Sequence, residues 1–341
     1  MKRGFWEKLS SPILCLAPMA DVTDPPFRRI ITKYSKYGGQ DIFDDEGKLT
    51  RPYKTTGGPD ILFTEFVSCD GLCSAGKERI LKDIRFSEGE HPIVFQIFGG
   101  KPENFKKCAK LAVELGFDGI DINMGCPDRN IEKQGGGASL IKNLELAKEI
   151  IYATKEFSGN LPVSVKTRLG YNEDSLETWL PYLLETDLAA ITIHLRTRKE
   201  MSKVPAHWER MKRAVEIRNI SGKKTFLLGN GDVWSILDAK EKIRNTGADG
   251  AMLGRAIFGN PWLFNKEIMR ENLPASEILR VLVEHTKLYE ELMGGVKSFS
   301  VMKKHYKAYV NEFPGAKELR MKLMGTQNAK EVENIIQSFL D

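Results

Sequence analysis

The feature that most constrains the fold of this chain is a regular alternation of short apolar runs with amphipathic stretches of helical period. The apolar runs predict eight strands, at residues 13–17, 61–65, 93–97, 119–123, 163–167, 190–194, 225–229 and 250–253. Helices are predicted between strands at residues 102–115, 144–157, 175–186, 208–219 and 233–245. Eight strand-then-helix units over about 250 residues are typical of an α/β protein of the (β/α)8 TIM-barrel type.

An open, doubly wound sheet is the alternative architecture for such an alternation. Its first strand is normally followed by a Gly-x-Gly-x-x-Gly turn. Here the first strand runs into Pro18-Met-Ala-Asp21 instead. The sequence therefore favours the barrel.

Two segments do not belong to the repeat. Residues 38–59 form a polar, glycine-rich insertion, whose core at 41–50 could be a hairpin with a Glu-Gly turn. Beyond Asn260-Pro261 the strand signal ends and the pattern is helical, with breaks near Pro274, Gly294-Gly295 and Pro314-Gly315. We predict a barrel domain at residues 1–262, carrying the insertion, and a small all-α helical domain at residues 263–341.

Composition places the chain among soluble globular proteins. It is 41% hydrophobic and 28% charged, and its net charge of +5 permits a polyanionic partner without requiring one. No stretch reaches the roughly 20 apolar residues of a membrane span, and the first residues lack the apolar run of a secretory signal. The five cysteines are an odd number without zinc-type spacing. We expect a cytoplasmic protein with free thiols, no bound metal and no membrane contact.

Polar residues and glycines cluster where the predicted strands end. Because active sites of barrels lie at the carboxyl ends of the strands, these residues predict a site there. After the first strand come Pro18, Met19 and Ala20, and the polar residues and glycines of the other strand ends are Gln96, Asn123, Cys126, Lys166, Arg168, His194, Arg196, Arg198, Asn230, Gly231, Asp232, Gly254 and Arg255. The loops after the last two strands contain glycine, and the last adds Arg255, which is typical of a phosphate site.

No catalytic carboxylate pair, Ser-His-Asp set or metal triad stands out in the sequence. A phosphate-bearing cofactor that brings most of the chemistry is therefore favoured, and FMN suits a barrel with lysine and glutamine near its middle. Cys126 lies in a Gly-Cys-Pro turn after the fourth strand. With an ordinary pKa near 8.5 its thiol is mostly protonated at neutral pH, so it could serve as an acid or as a nucleophile.

The helical tail has an uneven charge. Between residues 297 and 322 seven Lys or Arg face two Glu, with Tyr306, Tyr309 and Phe313 interleaved. This pattern is typical of a surface that binds a nucleic-acid backbone, and the alternative is an ordinary solvated face.

Together these residues resemble the tRNA-dihydrouridine synthase family over nearly the whole chain. Residues 16–28 resemble the family's opening flavin motif, and residues 121–127, Asp-Ile-Asn-Met-Gly-Cys-Pro, resemble its active-site cysteine signature. Residues 192–198, 230–232 and 254–255 follow in the expected order. Lys304, His305 and Tyr309 resemble its C-terminal tRNA-binding domain.

The resemblance implies an enzyme that reduces the C5=C6 bond of uridines in tRNA, using FMN recharged by NADPH. Cys126 would be the general acid that protonates C5. The residues implied to hold FMN are Pro18, Met19, Ala20, Gln96, Lys166, His194, Asn230, Gly231, Asp232, Gly254 and Arg255. Those expected to meet the tRNA are Asn123, Arg168, Arg196, Arg198, Lys303, Lys304 and Lys307. We expect tRNA as the partner and a monomeric enzyme.

Three departures from the family pattern stand out: Asp21 and Leu195 where glycine is usual, and the 38–59 insertion. Two other functions are weighed. A dihydroorotate dehydrogenase-like FMN oxidoreductase also has an Asn-x-x-Cys-Pro loop, but it normally lacks a helical tail. A non-catalytic RNA-binding barrel would bind no flavin.

Overall fold

A computed structural model of the chain describes residues 3–40, 44, 48 and 54–341. The hairpin predicted at 41–50 lies outside the described residues, apart from Asp44 and Lys48. The chain divides into two compact units. The barrel unit comprises Met1–Met19, Asp60–Leu81 and His91–Gly254, and the helical unit comprises Ala20–Pro59, Lys82–Glu90 and Arg255–Asp341. The predicted domain limits, 1–262 and 263–341, stay a prediction.

The barrel unit contains a single parallel sheet. Its strands in the described residues are β1 (Ile13–Leu16), β2 (Leu62–Phe63), β3 (Val67–Ser68), β4 (Ile93–Phe98), β5 (Gly119–Asn123), β6 (Val163–Arg168), β7 (Ala190–His194), β8 (Phe226–Asn230) and β9 (Gly250–Leu253). The sheet order is β1-β9-β8-β7-β6-β5-β4-β2, with β3 also beside β4, and a bridge between Cys15 and Ile61 joins β1 to the start of β2. The strands thus return upon themselves, which confirms the predicted barrel over the open sheet.

The second predicted strand is shorter than expected. Residues 61–65 were predicted as one strand, whereas β2 and β3 are two short pieces that pair with successive parts of β4. Between the pieces, the Thr64 hydroxyl accepts the Gln96 amide at 3.1 Å, a bond that a partner carbonyl would otherwise make. This side-chain bond interrupts the ladder.

The helices occupy the connections and the carboxyl-terminal region. They are α1 (Pro25–Ile31), α2 (Cys69–Leu72), α3 (Lys77–Asp83), α4 (Pro102–Glu114), α5 (Arg129–Lys133), α6 (Leu144–Phe157), α7 (Leu176–Leu184), α8 (Glu209–Ile220), α9 (Ile236–Thr246), α10 (Ala275–Met293), α11 (Lys303–Tyr309), α12 (Ala316–Met324) and α13 (Ala329–Leu340). None of those in the described residues is long and apolar enough to cross a membrane.

Side chains alternate along the strands, and this alternation fills the inside of the barrel. The lower part of the interior is apolar and is packed by Trp6, Ile13, Cys15, Phe63, Val94, Ala190, Leu228 and Met252, all buried. Two residues further along β4, β5 and β6, the inward positions become polar. The apolar floor therefore supports a polar layer nearer the carboxyl ends of the strands.

The helical unit has its own core, formed by α1 and α10 to α13. Helix α1 was missed in the sequence because two prolines open it. Proline suits a first helical turn, where the missing N–H has no partner to lose, and the Asp24 side chain caps the Phe27 amide at 3.0 Å. On α1, Arg28 is fully buried and forms a 2.7 Å ion pair with Glu90.

Candidate active site

The polar layer is set by strand register. Gln96 on β4 lies opposite Asp121 on β5, and Asp121 lies opposite Ser164 on β6. Asn123, two residues beyond Asp121, lies opposite Lys166. Residues two apart in a strand share a face, so these five side chains meet inside the barrel.

Four of these side chains form one hydrogen-bonded set, which we call the polar network: Gln96, Asp121, Asn123 and Ser164. Gln96 Nε2 donates to Asp121 Oδ2 at 2.7 Å, and Ser164 Oγ donates to Asp121 Oδ1 at 2.6 Å. Asn123 Nδ2 donates to Gln96 Oε1 at 3.2 Å. All four are buried, so the network is a fixed part of the interior.

The polar network ends at the loop that carries Cys126. Asn123 Oδ1 accepts the backbone N–H of Gly125 at 3.1 Å and that of Cys126 at 2.9 Å. Gly125 passes so close to β6 that a Cβ there would lie 3.1 Å from a Thr167 backbone atom, which explains the glycine. Behind the loop, the Ala138 N–H donates to the Cys126 carbonyl at 2.9 Å. The thiol is thus held on a rigid, half-buried loop.

Burial, more than the neighbouring charges, determines the protonation of Cys126. Burial raises the pKa of the Cys126 thiol, and the Asp128 carboxylate adds to this, against the lowering effects of the Asp128 backbone N–H, Arg168 and Lys166. Burial also lowers the pKa of Lys166 to about 8, aided by Arg168 and opposed by Asp121. At neutral pH the cysteine is therefore a thiol, and Lys166 is mostly an ammonium ion.

The three predicted arginines of the rim all make contacts within the protein. Arg168 is 9% exposed, and its guanidinium donates to the Gly125 carbonyl at 2.7 Å and contacts His194 Nδ1 at 3.3 Å. Arg196 is 2% exposed and pairs with Asp232. Arg198 forms a fork with Glu132, with N–O distances of 2.9 and 2.5 Å. A phosphate would have to compete with these partners.

The ends of β7 and β8 place three further predicted residues together. His194 lies opposite Asn230 in the sheet, and Asn230 Nδ2 donates to the Met252 carbonyl at 2.8 Å. Gly231 has a φ of +116°, and a Cβ there would lie 3.7 Å from His194 Nε2. Asp232 accepts the Ala206 N–H at 2.9 Å in addition to pairing with Arg196.

Gly254 tests whether a phosphorylated cofactor fits this rim. It follows β9 next to the residues after β1, since the Ala17 N–H donates to the Leu253 carbonyl at 2.7 Å. A Cβ on Gly254 would meet only Ala17 and Met19, each at 3.7 Å, which is ordinary contact. Neither packing nor backbone conformation requires glycine here, so the fold itself gives no reason for it, whereas a ligand that approaches the backbone closely would. With Lys166 as a cation and with side-chain amides on the inward face of the strands, the residues present suit a phosphorylated cofactor.

The remaining predicted residues lie elsewhere. Pro18 is buried and Met19 is partly buried after β1, whereas Ala20 and Arg255 are exposed and fall in the helical unit. So do Lys303, Lys304 and Lys307 on α11. The sequence interpretation of α11 was wrong in one respect. Tyr306 and Tyr309 are buried in the helical core, so their rings are not available to stack on bases.

Two of the three departures have structural counterparts. Asp21 has a φ of +54° and pairs with Lys297 at 3.3 Å, both within the helical unit. Leu195 is buried, and its N–H donates to the Asn230 carbonyl at 2.9 Å, which extends the pairing of β7 with β8 by one residue.

Asp121 and Ser164 were not predicted as site residues. The signal for them was strand parity, because Asp121 shares a face with Asn123, and Ser164 shares one with Lys166. In the described part of the chain, no group of three or more His, Cys, Asp or Glu side chains is arranged to hold a metal ion.

Comparison with known proteins identifies the family. The sequence profile described as "Dihydrouridine synthase (Dus)" matches residues 15–341. A "Probable tRNA-dihydrouridine synthase" of Staphylococcus aureus strain Mu50 is 40% identical, covering 99% of this chain and 96% of that protein. A "Probable tRNA-dihydrouridine synthase 2" of Bacillus subtilis strain 168 is 39% identical, covering 99% of this chain and 97% of that protein.

Among solved structures, a variant of NCR from Zymomonas mobilis is similar with a TM-score of 0.46 and 17% identity, covering 73% of this chain and 83% of that one. That likeness is too distant to carry an argument. The family profile and the two relatives are sufficient to assign this chain to a family. This chain belongs to the dihydrouridine synthase family, whose members are flavin-dependent oxidoreductases.

Proposed function

We propose that this enzyme reduces the C5=C6 bond of specific uridines in tRNA, with FMN as its flavin and NADPH as the electron donor. The observation that carries the proposal is the Cys126 loop, a protonated thiol held by Asn123 at the carboxyl end of β5. The names of the relatives, both tRNA-dihydrouridine synthases, support tRNA as the substrate.

Cys126 is proposed as the general acid for C5. Its pKa is raised by burial, so the Sγ–H is present at neutral pH and can be given up as C5 gains electron density. Arg168 would support this step indirectly, because its guanidinium donates a hydrogen bond to the carbonyl of Gly125 and so holds the residue next to Cys126 in place. Its own pKa is lowered by burial to about 10, so it stays a cation.

FMN would be held by residues at the rim of the barrel. Lys166 and Gln96 would face the flavin ring, with His194 and Asn230 beside them. Gly231, Asp232 and Gly254 would lie around the phosphate with Arg255, and Pro18, Met19 and Ala20 would complete the site. Bound and reduced, FMN supplies the hydride for C6 of the uracil ring, and NADPH restores it.

The tRNA is proposed to reach Lys303, Lys304 and Lys307 on α11, together with Asn123, Arg168, Arg196 and Arg198. Lys304 and Lys307 are exposed on the helix, which suits phosphate contacts, although a phosphate at Lys304 would compete with the Asp21 carbonyl, to which its ammonium donates at 2.8 Å. The target uridine has to leave its stack to enter the barrel. We further propose that the enzyme works in the cytoplasm as a monomer.

The two alternatives are less well supported. A dihydroorotate dehydrogenase-like activity would fall outside the family that matches from residue 15 to 341. A non-catalytic RNA-binding barrel would not need a protonated thiol beside a buried polar network.

The experiment is an assay with purified protein. Reconstituted with FMN and given NADPH, it should show flavin absorbance and should form dihydrouridine in tRNA from a strain that lacks the modification. Dihydroorotate is the matched control substrate and should give no orotate. A colourless protein that cannot be loaded with FMN, or orotate formation without dihydrouridine, would overturn the proposal.

A further inference from the structure

The interior of the barrel holds a carboxylate that the proposed reaction does not use. Asp121 is 1% exposed, and it accepts hydrogen bonds from Gln96 on β4 and from Ser164 on β6, the strands to either side of its own. A carboxylate buried among apolar strands is costly unless its partners are in place. Its position beneath the cysteine loop calls for a role.

That role follows from donor and acceptor directions. An ionised carboxylate only accepts hydrogen bonds, so the Gln96 amide must turn its nitrogen toward Asp121. Gln96 Oε1 then faces Asn123 and accepts from its Nδ2. The opposite orientation of Gln96 would set two acceptors against each other.

The same logic continues to the cysteine. Because the nitrogen of the Asn123 amide is engaged by Gln96, its oxygen must face the loop, where it accepts the N–H groups of Gly125 and Cys126. Each amide in the polar network therefore has one allowed orientation, which is fixed at one end by Asp121 and at the other end by the N–H groups of Gly125 and Cys126.

We infer that Asp121 is a positioning residue for Cys126, acting through the side-chain amides of Gln96 and Asn123. The consequence for catalysis rests on the proposed function, whereas the positioning itself does not. Asp121 also faces Lys166, to which it is electrostatically coupled, so one carboxylate is linked to both the thiol and the cation of the site.

The test is amide hydrogen exchange in the cysteine loop. Exchange followed residue by residue by NMR reports the N–H groups of Met124, Gly125 and Cys126, whereas Pro127 has none. Replacement of Asp121 by Ala should speed exchange at Gly125 and Cys126 about tenfold, as expected when a buried acceptor loses its fixed orientation. The Met124 N–H, bonded to the Lys166 carbonyl at 2.8 Å, serves as an internal reference.

Further variants test whether Asp121 acts on the cysteine loop through Asn123. Asn123→Ala removes the direct acceptor and should speed exchange at least as much. The double variant Asp121→Ala/Asn123→Ala should be no faster than Asn123→Ala alone, because both act through one acceptor. Ser164→Ala removes the other partner of Asp121 and should leave the exchange of the loop unchanged.

Asp121→Asn keeps the shape of the side chain and guards against failure to fold. Its amide can offer oxygen or nitrogen to Gln96, so exchange should rise severalfold, less than for Asp121→Ala. Wild-type exchange in both Asp121 variants, with faster exchange in Asn123→Ala, would overturn the inference, and so would additive effects in the double variant.

A second measurement links positioning to turnover. In dihydrouridine formation, Asp121→Ala should lower kcat much more than it raises KM for tRNA, because Asn123 is the one proposed tRNA contact that it affects. An equal change in both would contradict the inference. If wild-type protein forms no dihydrouridine, the proposed function fails, while the exchange experiment still tests the positioning role.

Discussion

Two buried polar clusters in this chain are built in opposite ways. In the barrel unit, Gln96, Asp121, Asn123 and Ser164 are joined by directed hydrogen bonds. In the helical unit, His285 on α10 and His305 on α11 are fully buried with ring centroids 4.7 Å apart. Their ring nitrogens have no hydrogen-bond partner among the described residues, and His285 stacks on Phe27 at 5.0 Å.

The polar network holds atoms in a defined geometry, whereas the buried histidine pair is polar without defining any geometry. The hydrogen bonds of the polar network fix the positions of its side chains, and the bonds of Asn123 extend it to the Cys126 loop. The histidine pair fixes no donor or acceptor and is tolerated because both rings are neutral. The two clusters should therefore respond to acid with opposite signs.

The largest expected effect is a loss of stability through the histidine pair on acidification. Burial lowers the pKa of His285 to about 3, and burial, His285 and Lys304 lower the pKa of His305 well below its ordinary value. Unfolded histidines bind protons below about pH 6.5, whereas the buried pair does not. Stability is thus complete above that pH and is lost below it, by about 4 kcal/mol for the pair between pH 7 and 5.

Urea unfolding at pH 7 and pH 5 measures this loss. The double variant His285→Phe/His305→Leu should lose far less stability than wild type on acidification. His207→Gln, which changes a half-exposed histidine, is the control and should behave as wild type. An acid response of the double variant equal to wild type would remove the contrast between the clusters.

The second-largest expected effect is a loss of affinity for FMN at the proposed cofactor site in the barrel. Gly254→Val should leave the fold intact, since a Cβ fits at 3.7 Å from its neighbours, but the side chain would occupy the space assigned to FMN. A misfit of this kind costs about 2 kcal/mol, roughly thirtyfold in affinity. Fluorescence titration with FMN measures it. Gly76→Val, another site with only ordinary contact, should bind FMN as wild type does.

Asp121 should show the opposite acid response to the histidines. Burial raises the pKa of its carboxyl to about 6, against the hydrogen bonds of Ser164 and Gln96. A group whose pKa is raised by folding binds more protons when folded, so its contribution is complete at low pH and is lost as pH rises through about 6. Between pH 7 and 5 wild type should gain about 1 kcal/mol from this residue.

Asp121→Asn should abolish that gain. In the histidine double variant, where the larger effect is absent, Asp121→Asn should remove the gain of about 1 kcal/mol in the free energy of unfolding between pH 7 and pH 5. Equal acid responses with and without Asp121 would show that the carboxyl does not titrate as a buried group.

The smallest effect concerns the outer face of α11, whose inner face carries His305 and Tyr309. Changing Lys303, Lys304 and Lys307 to Gln should weaken tRNA binding and lower the slope of log affinity against log salt by about 1 per lysine. Lys240→Gln on α9 is the control for an exposed lysine elsewhere. An unchanged slope would mean that tRNA does not contact this face.

Much of the barrel could be predicted from sequence because its signals are local. Apolar runs of strand length predicted most strands to within a residue, and strand ends predicted that Cys126, Lys166 and Asn230 lie at the same end of the barrel, while their roles stay a prediction. The break between β2 and β3 could not be predicted, since it depends on Thr64 bonding to a residue 32 positions away. Nor could the burial of Tyr306 and Tyr309, because helical period alone does not decide which face of α11 packs inward.

The other features that could not be predicted depend on contacts between residues that are far apart in the sequence. The sequence predicted that Arg196 and Arg198 at the rim contact tRNA. In the structure Arg196 forms an ion pair with Asp232, and Arg198 forms one with Glu132. Strand parity places Asp121 on the same face as Asn123, but its partners cannot be identified until its register with Gln96 and Ser164 is known.

The most direct test of the central claim is dihydrouridine formation by Cys126→Ala in a single turnover, with the flavin already reduced. Cys73→Ala, which removes an exposed thiol, is the matched control. If Cys126 is the proton donor, its variant should retain flavin yet form dihydrouridine at least about 100-fold more slowly, while the control is unaffected. Wild-type turnover by Cys126→Ala would contradict the assignment.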